Sequence, residues 1–248
     1  MESRNWNELI KNRLDHFWGY GNLDGAYWFI GMEEGHDLDL DSLRGRFTDT
    51  WGKSVVDIYD DQPSFVAKLA WFKGPKTRIQ RTYRGFIMIK LYLDLGRVPT
   101  TDEVREYQKI RLGRAVVDGK PNDHAMLELM PLPATSIKEK HWLYRDFDIP
   151  EIATRKAYLE KYRPEQCRKL RELIDQHSPK LVVFYSLLYL PDWQSIVPGK
   201  LEEVTDRQYI YQDQNTLYCV LPHPVAHGIS NADWERWGSE IRQRMRNR

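Results

Sequence analysis

Cysteine is nearly absent from this 248-residue chain: Cys167 and Cys219 are the only two. Two thiols are too few for a disulfide framework, a four-thiolate cluster or a zinc ribbon, and they suit a protein kept in a reducing cytoplasm. Long apolar runs are missing too. No stretch approaches the roughly eighteen residues that a spanning helix requires, and the opening Met-Glu-Ser-Arg-Asn-Trp carries no apolar signal core. Neither secretion nor membrane insertion is therefore expected. Charge excess is lacking as well, since 37 Lys and Arg against 36 Asp and Glu leave a formal net charge of +1. A polyanionic partner would need a local basic face, because the total supplies none.

Internal repeats, low-complexity tracts and Pro/Ser-rich linkers are also missing, so the sequence predicts one domain over residues 1–248. What is present is aromatic and periodic. Nine Trp and fourteen Tyr can serve core packing or base stacking, and composition does not choose between them. Four short apolar runs, Ala26 to Gly31, Ala125 to Met130, Lys180 to Ser186 and Thr216 to Leu221, read as buried parallel strands. Helical patterns separate them. Thr100-Thr-Asp-Glu103 forms a capping box for a helix expected to reach about Val117, and Pro150 and Pro164 fit first helical turns. Ser230-Asn-Ala-Asp233 opens a last helix toward Arg246. The alternation predicts a three-layer α/β/α fold around a central, mostly parallel four-stranded sheet, with ligands gathering at the carboxyl ends of its strands.

Those strand ends carry the polar residues. Met32-Glu33-Glu34-Gly35-His36 is expected after the first strand, Glu128 inside the second, and His223-Pro224 after the last. A carboxylate among Met126, Leu127, Leu129 and Met130 is costly to bury unless it meets a donor or a ligand. Read singly, each has an ordinary alternative: Glu128 on an exposed strand face, Glu33 and Glu34 as helix-terminal acids, His223 as a structural histidine. A metal hydrolase using His223, His227, Glu33 and Glu34 is a further alternative, although Pro224 disturbs the helical spacing such a site exploits.

Taken in order, three segments resemble the uracil-DNA glycosylase superfamily, and in motif form its single-strand-selective monofunctional branch. Gly31-Met-Glu-Glu-Gly35 stands for that branch's Gly-Met-Asn-Pro-Gly, Glu128-Leu-Met-Pro-Leu132 for Asn-x-Cys-Pro-Leu, and His223-Pro-Val225 with Ser230-Asn231-Ala-Asp-Trp234 for His-Pro-Ser and Ala-Asn-Lys-x-Trp. The resemblance spans roughly residues 20 to 245, but Gly35 to Asp123 matches only in layout. It implies a monofunctional glycosylase that flips a base from DNA and hydrolyses its N-glycosidic bond, needs no cofactor or metal, and works as a monomer.

Under that resemblance Glu33, with Glu34 beside it, would stabilise the sugar cation and accept a proton from water, while His223 would donate to the base oxygen. Met32, Glu128 and Phe47 would contact the base, with Trp51 and Phe65 as other stacking candidates. Lys76, Arg78 and Arg81 would track phosphates, and His227, Ile229 and Asn231 would enter or brace the duplex. Two departures matter. Val225 replaces a hydroxyl residue, and Glu128 replaces an Asn. An ionised Glu only accepts, which suits an exocyclic amine and not a uracil O4, whereas a protonated Glu128 could still donate to O4. The expected substrate is thus a modified cytosine, such as the hydroxymethylated or glucosylated cytosine of phage DNA. A uracil-type repair enzyme and a non-catalytic DNA-binding relative are the alternatives.

Overall fold

The computed structural model describes residues 5–35, 39–60 and 77–247. Its centre is an eight-stranded mixed sheet. In chain order the strands are β1 (Gly19–Gly21), β2 (Tyr27–Gly35), β3 (Val55–Val56), a separate hairpin of β4 (Val116–Val117) with β5 (Lys120–Pro121), then β6 (His124–Ala134), β7 (Leu181–Tyr185), β8 (Glu202–Thr205), β9 (Gln208–Gln212) and β10 (Leu217–Leu221). The large sheet runs β3-β1-β6-β2-β7-β10-β9-β8. The four predicted strands are its middle, β6-β2-β7-β10, and all neighbours there are parallel. The expectation of a four-stranded sheet is corrected: β1 on one flank and β9 and β8 on the other add antiparallel pairings. These flanking strands are short and half-polar, so they lack the unbroken apolar run that betrays a buried parallel strand.

Residues alternate between two apolar clusters. Trp28, Ile30, Leu127, Phe184 and Val220 join one, together with helices α1 (Trp6–His16), α2 (Leu40–Asp49), α5 (Arg155–His177) and α6 (Leu190–Ile196). Phe29, Met126, Val183, Tyr185 and Cys219 join the other, with α3 (Arg81–Leu95), α4 (Thr101–Ile110) and α7 (Asn231–Arg246). Period-two alternation sends successive side chains to opposite faces, so helices cover both. Burying each Trp or Phe of this kind contributes on the order of 1.5–3 kcal/mol.

Several boundaries differ from the sequence reading for local reasons. β2 continues through Met32, Glu33 and Glu34, so the acidic motif is strand, not loop. β6 runs through Pro131 and Pro133; β1 pairs only with Ala125 to Leu127, so no flanking strand there demands the missing N–H groups. α4 ends at Ile110 instead of Val117, where the Asn122 amide captures the carbonyls of Arg111 and Arg114 and Gly113 turns at φ +63°. Pro164 lies inside α5, not in its first turn, whereas Pro150 opens a short 3-10 turn. The last helix has the expected capping box at Ser230 and Asp233.

Candidate active site

The chain leaves β2 for β6 on one side and then crosses, through α5, to β7 on the other. That reversal beside β2 is where open α/β sheets form a crevice at their carboxyl ends. Glu33 stands there near the end of β2, and Arg155, the first residue of α5, donates from Nη2 to its Oε1. The two side chains are only 9% and 10% exposed. Burial pushes the Glu33 carboxyl above the usual range, and the charge and hydrogen bond of Arg155 offset this only in part. Tyr189, in the turn after β7, lies close enough to Arg155 and Glu33 to feel both charges. The other carboxylate oxygen, Oε2, is buried without a protein partner. Buried polar atoms are nearly always satisfied, so an orphan of this kind invites water or ligand. An open depression of about 310 Å³ reaches Arg155 and is also lined by Ile137 and Lys156. The sequence reading missed Arg155 and Tyr189, since nothing in local spacing links them to Glu33.

Glu128 of β6 is in register with Gly31 of β2. A Cβ on Gly31 would lie 2.3 Å from Glu128 Oε2, so glycine is what makes room for this carboxyl. Part of the residue reaches solvent, but Oε2 is sealed and has no partner. Burial first, and the negative charges of Glu34 and Glu33 second, push Glu128 well above the ordinary carboxylate range. Glu33 has Arg155 and Glu34 has Arg46, but among the described residues no cation answers Glu128. Of the two states open from sequence, ionised and protonated, burial favours the protonated Glu128. A neutral carboxylic acid donates from one oxygen and accepts at the other.

Glu34 is otherwise engaged. Arg46 of α2, fully buried, reaches its Oε2 at 2.6 Å, and the Tyr20 hydroxyl of β1 donates to the same carboxylate at 3.1 Å. This is a buried structural bridge between α2 and the sheet. The β-bulge between Glu33 and Gly35 lets two consecutive acids serve different partners.

His223 follows β10 in a turn closed by Ala226 N–H to the His223 carbonyl at 2.8 Å. Val225 N–H donates to its Nδ1 at 3.4 Å, so the neutral ring carries its proton on Nε2. His223 is exposed at the surface, yet loss of water around part of the ring lowers its pKa and favours that neutral form. The turn is braced from below. A Cβ on Gly85 of α3 would fall 2.7 Å from Pro224, so only glycine lets α3 approach this closely. His223 does not hydrogen-bond the carboxylates; β7 separates its strand from theirs.

The remaining expectations divide. Met32 and Phe47 are buried in the first cluster, Phe47 at 1% exposure against Trp6 and Arg13, so neither side chain offers a face to a base. Both assignments as base contacts are corrected; tertiary packing of α2 claimed Phe47. Trp51 packs on the same cluster. Phe65 and Lys76 lie outside the described residues. Arg78 and Arg81 are exposed at the start of α3, and Arg84 of that turn donates to Asn231 Oδ1 at 2.7 Å, tying α3 to α7. His227 is exposed, whereas Ile229 packs partly against the second cluster and is a poor wedge.

Among the described residues no group of three or more His, Cys, Asp or Glu is placed to hold a metal ion, so Glu33, Glu34 and His223 do not form one. Nor is any described helix long and apolar enough to cross a membrane. No protein-family model matches the chain, and no curated protein does.

Proposed function

We propose that the protein is a monofunctional DNA glycosylase of uracil-DNA glycosylase type, hydrolysing the bond between deoxyribose and a flipped, cytosine-type modified base to leave an abasic site. The observation that supports this most is the pair of orphaned, buried carboxylate oxygens, Glu33 Oε2 near the carboxyl end of β2 and Glu128 Oε2 in the middle of the adjacent parallel strand β6. Glu33, ionised beside Arg155, stabilises positive charge developing on the sugar and takes a proton from the attacking water. The bond from C1′ to the base nitrogen breaks, hydroxide adds to C1′, and the bonding pair leaves with the base. His223 Nε2–H donates to the base oxygen on which that charge gathers.

Glu128 reads the base edge. A neutral acid carries both the donor that cytosine N3 needs and the acceptor that the N4 amine needs. The same acid can accept from uracil N3–H and donate to O4. Glu128 thus recognises an adjacent donor and acceptor, and the choice among bases falls on the 5-substituent. Foreign DNA bearing bulky 5-modified cytosines remains the proposed target. The test is abasic-site formation, read as alkali-labile strand breaks. Glu33→Gln and His223→Ala should each lower it by about 10²-fold or more; two fully active variants would mean the site lies elsewhere.

A further inference from the structure

We infer that the depression at the head of α5 is a subsite for an uncharged hexose carried on the 5-substituent of the base, and that Ile137, Glu139 and Glu160 select it. The inference rests on the glycosylase reading above and narrows its substrate from a 5-modified cytosine to a glycosylated one. The base edge offered to Glu128 is the same whatever stands at C5. Choice among 5-substituents therefore needs a second place of contact.

Arg155 joins the two places. Its guanidinium pairs with Glu33 and also lines the depression, so a ligand held there adjoins the carboxylate assigned to the chemistry. The Arg155 side chain is only 9% exposed, and its Nε–H is buried without a protein partner. Buried donors are nearly always satisfied, so this one, like Glu33 Oε2, invites a ligand oxygen or water. The rest of the wall follows from helical spacing. Lys156, Leu159, Glu160 and Arg163 lie three or four residues apart along the first turns of α5, which puts them on one face. At about 310 Å³ the depression lies at the low end of small-ligand sites, roughly 300–1,000 Å³. That is room for one sugar ring, not a chain of them.

Charge decides the kind of ligand. Three cations line the depression, but each already has an acid: Arg155 has Glu33, Arg163 has Asp192 at 3.4 Å, and Lys156 has Glu160 at 3.7 Å. Glu139 adds a further carboxylate, and one of its oxygens accepts from the Arg155 backbone N–H at 2.9 Å. A phosphate or carboxylate would find no surplus of positive charge. A neutral polyol suits the wall better, because every hydroxyl both donates and accepts: Glu139 and Glu160 take its protons, and Lys156 and Arg163 supply donors. Ile137, 62% exposed after β6, is the remaining element. Single exposed aliphatic residues are ordinary, but this one shares a wall with charged side chains and with Leu159. The two together offer an apolar strip to the C–H face of a pyranose.

The test uses duplexes carrying 5-hydroxymethylcytosine, its glucosylated form in either anomer, or anionic 5-carboxylcytosine. Excision is read as kcat/KM for alkali-labile sites. Binding is read by fluorescence anisotropy with His223→Ala, which slows turnover and leaves the Arg155–Glu33 pair intact. One glucosylated anomer should be excised, and bound, roughly tenfold better than the hydroxymethylated base, with no preference for the carboxylated one. Glu160→Ala and Ile137→Ala should each cut the glucosyl-to-hydroxymethyl ratio severalfold. Arg168→Ala, exposed further along α5, is the control and should keep the wild-type ratio. Equal handling of glucosylated and hydroxymethylated bases, a preference for 5-carboxylcytosine, or a ratio unchanged in both variants would overturn the inference and leave the glycosylase reading standing. Tighter binding of glucosylated duplex with no strand break from any base would support the subsite and sink the glycosylase chemistry alone. Neither breaks nor any preference in binding would overturn both.

Discussion

Replacing Arg155 with Met leaves Glu33 buried without its cation, and the geometry sets the size of the effect. With side chains 9% and 10% exposed, neither charge can be rescued by solvent. Breaking a buried pair from one side costs on the order of 3–5 kcal/mol, because the surviving charge keeps its desolvation penalty. For a chain of this length that corresponds to a midpoint lower by roughly 6–20 °C. Removing both charges, in Glu33→Gln with Arg155→Met, should recover much of the loss, with a coupling of about 2 kcal/mol. Thermal and urea unfolding of the four proteins at neutral pH supplies the cycle. Arg155→Met within about 1 kcal/mol of wild type, or single effects that simply add, would refute the reasoning.

The same variant has a chemical consequence. Burial already raises the Glu33 pKa, and only Arg155 opposes it. Glu33 accepts a proton only when ionised, so activity falls as pH drops through that raised value. Arg155→Met should move this acid limb to higher pH.

Glu128→Gln tests whether the buried acid is neutral. Its folded pKa lies above the ordinary 4.5, so the tighter proton binding of the folded state stabilises fully below that value and is lost as pH rises through the folded pKa. The Gln variant should therefore gain on wild type between these pKa values, by about 1.4 kcal/mol per pH unit traversed; a gap that stays constant with pH would contradict a neutral acid. Gly85→Ala places a methyl 2.7 Å from Pro224 and 2.9 Å from Trp234, and should cost about 1–3 kcal/mol in urea unfolding; a neutral result would mean the His223 turn is not braced there. Glu34→Gln should lower stability by weakening the bridge to Arg46 and Tyr20 yet spare base release below its unfolding temperature; complete loss of release with the fold intact would return Glu34 to the chemistry.

The centre of the fold was legible because its strands are continuous apolar runs: Leu-Val-Val-Phe-Tyr at 181–185 and Leu-Tyr-Cys-Val-Leu at 217–221 hide both faces and need no context. The flanking strands were not. Gly19–Gly21 is three residues with no alternation, and it becomes a strand only because β3 and β6 pair with it. The acids at the strand ends were visible as residues, but their states were not. Whether Glu33, Glu34 or Glu128 is charged depends on Arg155 and Arg46, which lie 122 and 12 residues away from the acids they meet. Phe47 failed as a base contact for the same reason. Its neighbours Trp6 and Arg13 come from a helix that local sequence does not connect to it.

Release of a base from DNA is the reaction proposed for this site. The direct measurement incubates the protein with oligonucleotides carrying uracil, hypoxanthine, cytosine, 5-hydroxymethylcytosine or its glucosylated form, then treats them with alkali to break the strand at abasic sites. Breaks are expected at a 5-modified cytosine, none at cytosine, and none in any substrate with Glu33→Gln. Intact strands with every base would contradict that reaction.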